Sequence, residues 1–256
     1  MLRPRVIPCL LIRSGGLVKT IKFSDPKYLG DPLNAVRIFN EKYVDELIVI
    51  DIDATVKQSE PNYPLIRAIA SECCMPLCYC GGITTVDQIE RIIGLGVEKI
   101  GLSSILTHNP RIIEQAAASV GSQSILAVID VKKVPPFGFY QVFTHNATRN
   151  SRLDPLRLAR LVESLGAGEI LLNSIDRDGT MKGYDTDILQ AIRDVVSLPI
   201  TILGGAGTLD HIKSLFDRFG LVGAAAGSIF VFKGNYRAVL LQYPSPSEKE
   251  SLYSIM

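Results

Sequence analysis

Short aliphatic runs alternate along this chain with longer stretches whose apolar residues recur every three or four positions, the patterns of strands and of amphipathic helices. Runs such as ELIVI (46–50) and ILAVI (125–129) have no polar face. A strand that is apolar on both sides is buried on both sides, as in a parallel sheet covered by helices. The pattern predicts strands at residues 5–11, 46–51, 76–80, 98–103, 124–130, 169–174, 199–203 and 221–226. Helical periodicity lies between them, for instance at 32–43, 86–95, 155–165 and 187–196. Eight strand–helix units in 256 residues fit an α/β fold of the (βα)8 TIM-barrel type, whose usual length is about 250 residues. An open, doubly wound sheet is the competing arrangement.

An internal repeat decides between them. ELIVIDID (46–53) lines up with EILLNSID (169–176), GGITTVDQI (81–89) with GGAGTLDHI (204–212), and SSIL (103–106) with GSIF (227–230). Strands two, three and four are thus echoed by six, seven and eight. Two four-strand halves closing on each other account for this, and an open sheet gives no reason for it. The expected fold is one barrel over residues 1–242 with an internal half-barrel repeat. Residues 243–256, rich in Pro, Ser and charge, read as a loose C-terminal tail. Strands one and five also match, PCLLIR (8–13) against AVIDVK (127–132), with one departure: Leu11 stands where the second copy has Asp130.

Ligands of such barrels sit at the C-terminal strand ends. Gly81, Gly82, Ser103 and Ser104 fall there in the first half, and Gly204, Gly205, Gly227 and Ser228 in the second. Glycine pairs let the backbone approach an anion, and the N–H groups opening the next helix carry partial positive charge. A single Gly pair reads as a tight turn; the same arrangement in both halves, joined by Asp178 and Gly179 after strand six, predicts two phosphate sites on opposite sides of the mouth. With 27 Lys+Arg against 26 Asp+Glu, no basic field awaits nucleic acid or a membrane surface, so an anionic ligand must be bound locally. Asp130 lies between the two clusters as a candidate general acid or base, because a desolvated carboxyl group has a raised pKa. Asp51 and Asp176 read as loop organisers. Lys19 reads as a mobile-loop lysine able to reach over the mouth.

Other chemistries find little support. His108, His145 and His211 make no nucleophile triad with a Ser and an Asp. The five cysteines, four of them in CCMPLCYC (73–80), lack the paired spacing of a zinc site and read as buried thiols, so neither metal nor cofactor is expected. The apolar run at 6–12 is too short to span a bilayer or to act as a secretory signal, and a cytoplasmic location follows as the expectation. Arg5, Glu46, Lys99 and Glu169 each begin a strand. Charged residues at strand starts are usually solvated; turned inward, these four would make a balanced ring of two cations and two anions.

The stretches GAGEILLNSIDRDGTMKGYD (166–185), LGGAG (203–207), GSQSILAVID (121–130), VDELIVIDIDA (44–54) and CGGI (80–83) together resemble the cyclase subunit of imidazole glycerol phosphate synthase, the HisF family. The likeness runs from Arg5 to about Phe232. It implies a half-repeated barrel acting in histidine biosynthesis, forming imidazole glycerol phosphate and AICAR from a nucleotide with a phosphate at each end. It also implies a separate glutaminase docked on the N-terminal face, with ammonia passing inward through a gate at Arg5, Glu46, Lys99 and Glu169. The family's catalytic pair is two aspartates; Asp130 matches one, and Leu11 occupies the place of the other. Ser14-Gly15-Gly16 also departs from the charged turn usual there. These departures suggest a paralogue of the kind associated with lipopolysaccharide O-antigen pathways. There a glutaminase, such a barrel and a third amidotransferase convert an acetamido sugar to an acetamidino sugar. A working histidine-pathway cyclase and a non-catalytic scaffold that activates its glutaminase are the alternatives.

Overall fold

The computed structural model describes residues 3–234 and 236–253. Eight parallel strands follow the predicted order: β1 (Arg5–Arg13), β2 (Leu47–Asp51), β3 (Leu77–Cys80), β4 (Lys99–Leu102), β5 (Ile125–Val134), β6 (Glu169–Ser174), β7 (Ile200–Leu203) and β8 (Gly223–Ala226). Each pairs with the next, and β8 pairs back onto β1 with Val6 opposite Ala224, so the sheet closes into a (βα)8 barrel. Closure explains the continuously apolar strands. Alternate residues face inward, where Ile7, Cys9, Ile48, Cys78, Cys80, Leu126, Val128, Leu171, Leu203 and Ala225 fill the lumen. The intervening residues, such as Val6, Leu10, Val49 and Ile129, pack outward against the helices.

The principal helices are α1 (Pro32–Glu41), α2 (Tyr63–Glu72), α3 (Val86–Ile93), α4 (Ile112–Val120), α5 (Pro155–Ser164), α6 (Thr186–Arg193), α7 (Leu209–Phe219) and α8 (Pro246–Leu252). The repeat persists in their caps. Thr85 caps α3 and Thr208 caps α7, each accepting from the backbone N–H three residues on. The following side chains are also equivalent: Gln88 accepts from Thr84 N at 2.7 Å, and His211 Nδ1 accepts from Gly207 N at 3.1 Å. Among the described residues no helix is long and apolar enough to cross a membrane.

Two features depart from the sequence expectation. The segment after β1 is an antiparallel hairpin, Gly16–Ile21 and Ser24–Gly30, laid on the overlong β1. Lys19 therefore sits on a strand and is buried, not on a mobile loop. β5 carries an equivalent flap, Phe139–Thr144 with Arg149–Asn150. Each flap crosses the mouth and bonds to the opposite half: Thr20 and Phe23 to Asp178 after β6, and Asn146 to Ile52 after β2.

The second departure is the C-terminus. Residues 243–253 are docked rather than loose, because α8 has a Ser245–Glu248 capping box and buries Leu252, while Tyr253 stacks on Phe216. The Tyr243 hydroxyl donates to Val6 O at 2.8 Å and accepts from Asp45 N at 3.3 Å, and Lys249 pairs with Asp45. The C-terminal segment thus clamps the start of β1; residues 254–256 lie outside the described chain. Tyr243→Phe removes these two bonds while keeping the ring, at a cost of about 1–2 kcal/mol. For a chain of this size, thermal unfolding should show the midpoint lowered by about 2–8 °C. An unchanged midpoint would show that the clamp adds nothing.

Candidate functional site at the barrel mouth

A cavity of about 660 Å³ opens at the C-terminal strand ends. Its floor is the top of the lumen, and its walls are the two flaps and the strand-end loops. Asp130 stands on β5 where the strand reaches the mouth, half-buried on the cavity wall. Ser103 Oγ donates to one of its oxygens at 3.0 Å and Asn173 Nδ2 to the other at 2.8 Å. Burial pushes its pKa up to about 6; the two hydrogen bonds oppose that rise and the charge of Asp178 adds to it. The group therefore exchanges its proton near neutrality, which is what a general acid–base catalyst needs.

The equivalent place in the first half has no such chemistry. Leu11 pairs with Ile50 on β2, as Asp130 pairs with Asn173 on β6, and both Leu11 and Ile50 pack on the lumen cluster. The apolar departure at position 11 thus extends to its cross-strand neighbour. Sequence analysis passed over Asn173 and Ile50, although aligning ELIVI with EILLN placed them in register and held the signal.

Both glycine–serine clusters reach the cavity wall. Gly81, Gly82, Ser103 and Ser104 line one side, and Gly179, Gly204, Gly205, Gly227 and Ser228 line the other with Asp178. Gly205 shows why the motif needs glycine: its φ is +106°, and a Cβ would lie 2.1 Å from Gly183 O. The second cluster is the more enclosed, and Ser228 Oγ is buried with no hydrogen-bond partner among the described residues, leaving a hydroxyl free for a ligand. Lys19 reaches this side too, but its ammonium is held by Asp178 at 2.5 Å and by Thr20 O at 3.0 Å. Asp178 also accepts from Thr20 Oγ1 at 2.7 Å, so it fastens the flap as well as lining the site. Asp51 accepts from Asp53 N and Ala54 N, and Asp176 from Lys133 N, each organising a loop.

At the opposite end, Arg5, Glu46, Lys99 and Glu169 turn inward and meet at the barrel floor. Arg5 pairs with Glu46 and with Glu169, the latter at 2.5 Å; Lys99 bonds Glu46 at 3.0 Å and Glu169 at 2.9 Å. Thr201, on β7, donates to Glu169 at 2.5 Å, a member of the ring that charge alone could not reveal. Burial favours the neutral form of Glu169, yet Arg5 and Lys99 outweigh it and hold the pKa below its ordinary value. Between ring and mouth lie apolar lumen residues and the thiols of Cys9, Cys78 and Cys80. The other two cysteines, Cys73 and Cys74, sit beyond α2 and are less buried than the sequence pattern suggests. Among the described residues no three potential metal ligands cluster.

The raised pKa of Asp130 has a measurable consequence. A carboxyl group whose folded pKa lies above its unfolded value of about 3.9 contributes its stability below that value. The contribution is lost as pH rises through about 6. Above pH 7 the ionised group costs at most about 3 kcal/mol, two pKa units at about 1.4 kcal/mol each. Asp130→Asn should therefore raise the unfolding midpoint by several degrees at pH 8 and leave it nearly unchanged at pH 4. Equal effects at both pH values would exclude a carboxyl group titrating near 6.

Residues 5–237 match the family described as histidine biosynthesis protein. Similar relatives include a protein of Leptospira borgpetersenii provisionally named imidazole glycerol phosphate synthase subunit HisF, 54% identical over 99% of this chain and 100% of its own. A Vibrio vulnificus protein provisionally named subunit hisF3 is 56% identical over 98% of this chain and 96% of its own. A Pseudomonas aeruginosa protein provisionally named subunit hisF2 is 50% identical over 95% and 97%. With the half-repeated barrel, the paired glycine–serine clusters and these full-length matches in hand, the chain belongs to the histidine biosynthesis protein family as a HisF-like barrel.

Proposed function

We propose that this chain is the ammonia-receiving barrel subunit of a glutamine-dependent amidotransferase, and that its own cyclase chemistry is reduced by the loss of an aspartate at position 11. The observation that carries this reading is the four-membered charged ring at one end of an apolar lumen whose other end opens at Asp130. A glutaminase docked on the N-terminal face would deliver ammonia at the ring. Neutral ammonia tolerates an apolar passage in a way that ammonium does not, since burial favours the uncharged form. Passage requires one ring contact to open. Lys99, a single ammonium on a flexible stem, moves more readily than Arg5, whose two nitrogens are both engaged.

The ligand at the mouth is then a small molecule with two phosphate-like ends, one at each glycine–serine cluster. Ammonia meets its reacting carbon between Asp130 and Leu11. Ring closure of the family's nucleotide needs proton transfers on both sides of the forming ring, and Leu11 performs none. A barrel that conducts ammonia without completing that cyclisation suits transfer of nitrogen to another acceptor. The acceptor we favour is an acetamido sugar of lipopolysaccharide, converted to its acetamidino form with a third enzyme. A working histidine-pathway cyclase is the second reading, and the observation in its favour is the intact Ser103–Asp130–Asn173 arrangement.

Free ammonium salt bypasses the glutaminase and isolates the mouth. With the nucleotide substrate of imidazole glycerol phosphate synthase, the native protein should turn over poorly, and Leu11→Asp should gain at least about 10²-fold, the usual worth of a positioned general acid or base. Ordinary enzymatic turnover by the native protein would overturn the disarmed-cyclase reading in favour of the second. The ring is tested in the complex with the glutaminase: Lys99→Ala should raise the glutamine consumed per acceptor aminated while ammonium-supported turnover is kept. An unchanged ratio would refute passage through the ring.

A further inference from the structure

The cavity's charged and titratable groups are unevenly committed. Lys19 is held by Asp178. Asp51 caps the turn that follows it, Asp130 is held by Ser103 and Asn173, and Glu60 accepts from Tyr63 and Gln88. Three groups able to carry positive charge lie without a carboxylate partner among the described residues at the end adjoining Ser103 and Ser104: His108, His145, whose Nδ1 meets Thr144 Oγ1 at 2.9 Å, and Arg149, all on the cavity wall. His108 closes the helical turn Ser104–Thr107 that begins at the first glycine–serine cluster. His145 and Arg149 flank the tip of the β5 flap. Asn146 holds that tip across the mouth by donating to Ile52 O at 2.8 Å, with residues 145–147 all in the left-handed region. Arg149 is exposed and makes no ion pair among the described residues.

These groups come from two separate loops, and they sense one another. Burial lowers the pKa of His145, and the charges of Arg149 and His108 lower it further. Like charges brought together with no carboxylate among them are unfavourable in the empty site and favourable once an anion lies between them. The opposite end of the cavity differs: there the one cation, Lys19, is already neutralised by Asp178. The first cluster, built of glycine and serine alone, has no cation of its own.

We propose that His108, His145 and Arg149 form a dianion-recognition site that holds a phosphate terminus of the ligand at the Gly82–Ser104 end of the cavity. The site would make this end selective for a phosphomonoester. Arg149 supplies the forked donors suited to a tetrahedral oxyanion. This inference rests on the reading that the mouth binds a phosphorylated ligand.

Sulfate is the probe, because its charge is constant between pH 5 and 8 and any pH dependence then belongs to the protein. The full chain would be titrated with sodium sulfate while NMR follows the imidazoles of His108 and His145 and the amides of Gly82, Ser104, Gly205 and Ser228. Sulfate should shift the Gly82 and Ser104 amides together with both imidazoles, and should raise the pKa of His145. Arg149→Gln should weaken sulfate binding at that end about tenfold, the loss of one charge-assisted hydrogen bond, and Arg149→Lys should restore part of it. Arg149 is exposed, so neither variant should disturb folding. Shifts of the glycine and serine amides with unperturbed imidazoles, or equal affinity in Arg149→Gln, would overturn this site and leave the phosphorylated-ligand reading standing. No response at either cluster, up to tens of millimolar sulfate, would overturn both.

Discussion

The structure depends first on the alternation of charge at the barrel floor. Arg5, Lys99, Glu46 and Glu169 come from four different strands, and each cation touches both anions. Removing any one would leave the remaining three with an unbalanced charge in a largely desolvated site, so the four are held as a unit. Because they are held, the lumen above is closed to water from below and is packed with aliphatic side chains and thiols. The wide opening of the barrel is thereby confined to the mouth, where every candidate ligand-binding group lies. Floor, lumen and mouth thus form one axis, polar at both ends and apolar between.

The mouth itself is divided by the repeat. In the second half, Asp130 and Asn173 make a hydrogen-bonded acid–amide pair; in the first, Leu11 and Ile50 occupy the same register and make only apolar contact. A desolvated carboxylate opposite a hydrocarbon surface is stabilised by its own donors, Ser103 and Asn173, and by nothing across the cavity. Burial, with the charge of Asp178, raises the pKa of Asp130. The mouth thus has a glycine–serine cluster in both halves and, at the paired Leu11 and Asp130 positions, an ionisable group in one half alone.

Much of this was legible in the sequence because periodicity and repetition are local signals. Apolar runs without a polar face located all eight strands, and the GGITTVDQI/GGAGTLDHI match placed a glycine pair on the cavity wall in each half. The charged strand starts were ambiguous, since Arg5, Glu46, Lys99 and Glu169 meet only after closure brings residues 5 and 169 together. The flaps were missed for a similar reason. GLVKTI reads as a loop until β1 extends to Arg13 and offers it an edge, and Lys19 is buried only by a partner far along the chain, Asp178. The C-terminal helix escaped notice because its Pro, Ser and charged residues, typical of a tail, also supply the capping box of Ser245 and Glu248.

The flaps extend the repeat beyond the barrel and break its symmetry in the same direction as the mouth does. Each half sends a hairpin across the opening to the loop after the other half's second strand. The β1 flap is fastened by a buried Lys19–Asp178 pair, with Thr20 and Phe23 also bonded to Asp178. The β5 flap is fastened by a neutral bond from Asn146 to Ile52 O and by the Tyr140 hydroxyl, which donates to the Asp185 carboxylate at 2.8 Å. Breaking the first flap's pair strands a buried charge; breaking the Asn146 bond at the tip of the second strands none and costs about 1 kcal/mol. The tip of the β5 flap, which carries His145 and Arg149, is therefore held across the mouth less tightly than the β1 flap. This more weakly held tip lies over the half that carries Leu11 in place of an aspartate.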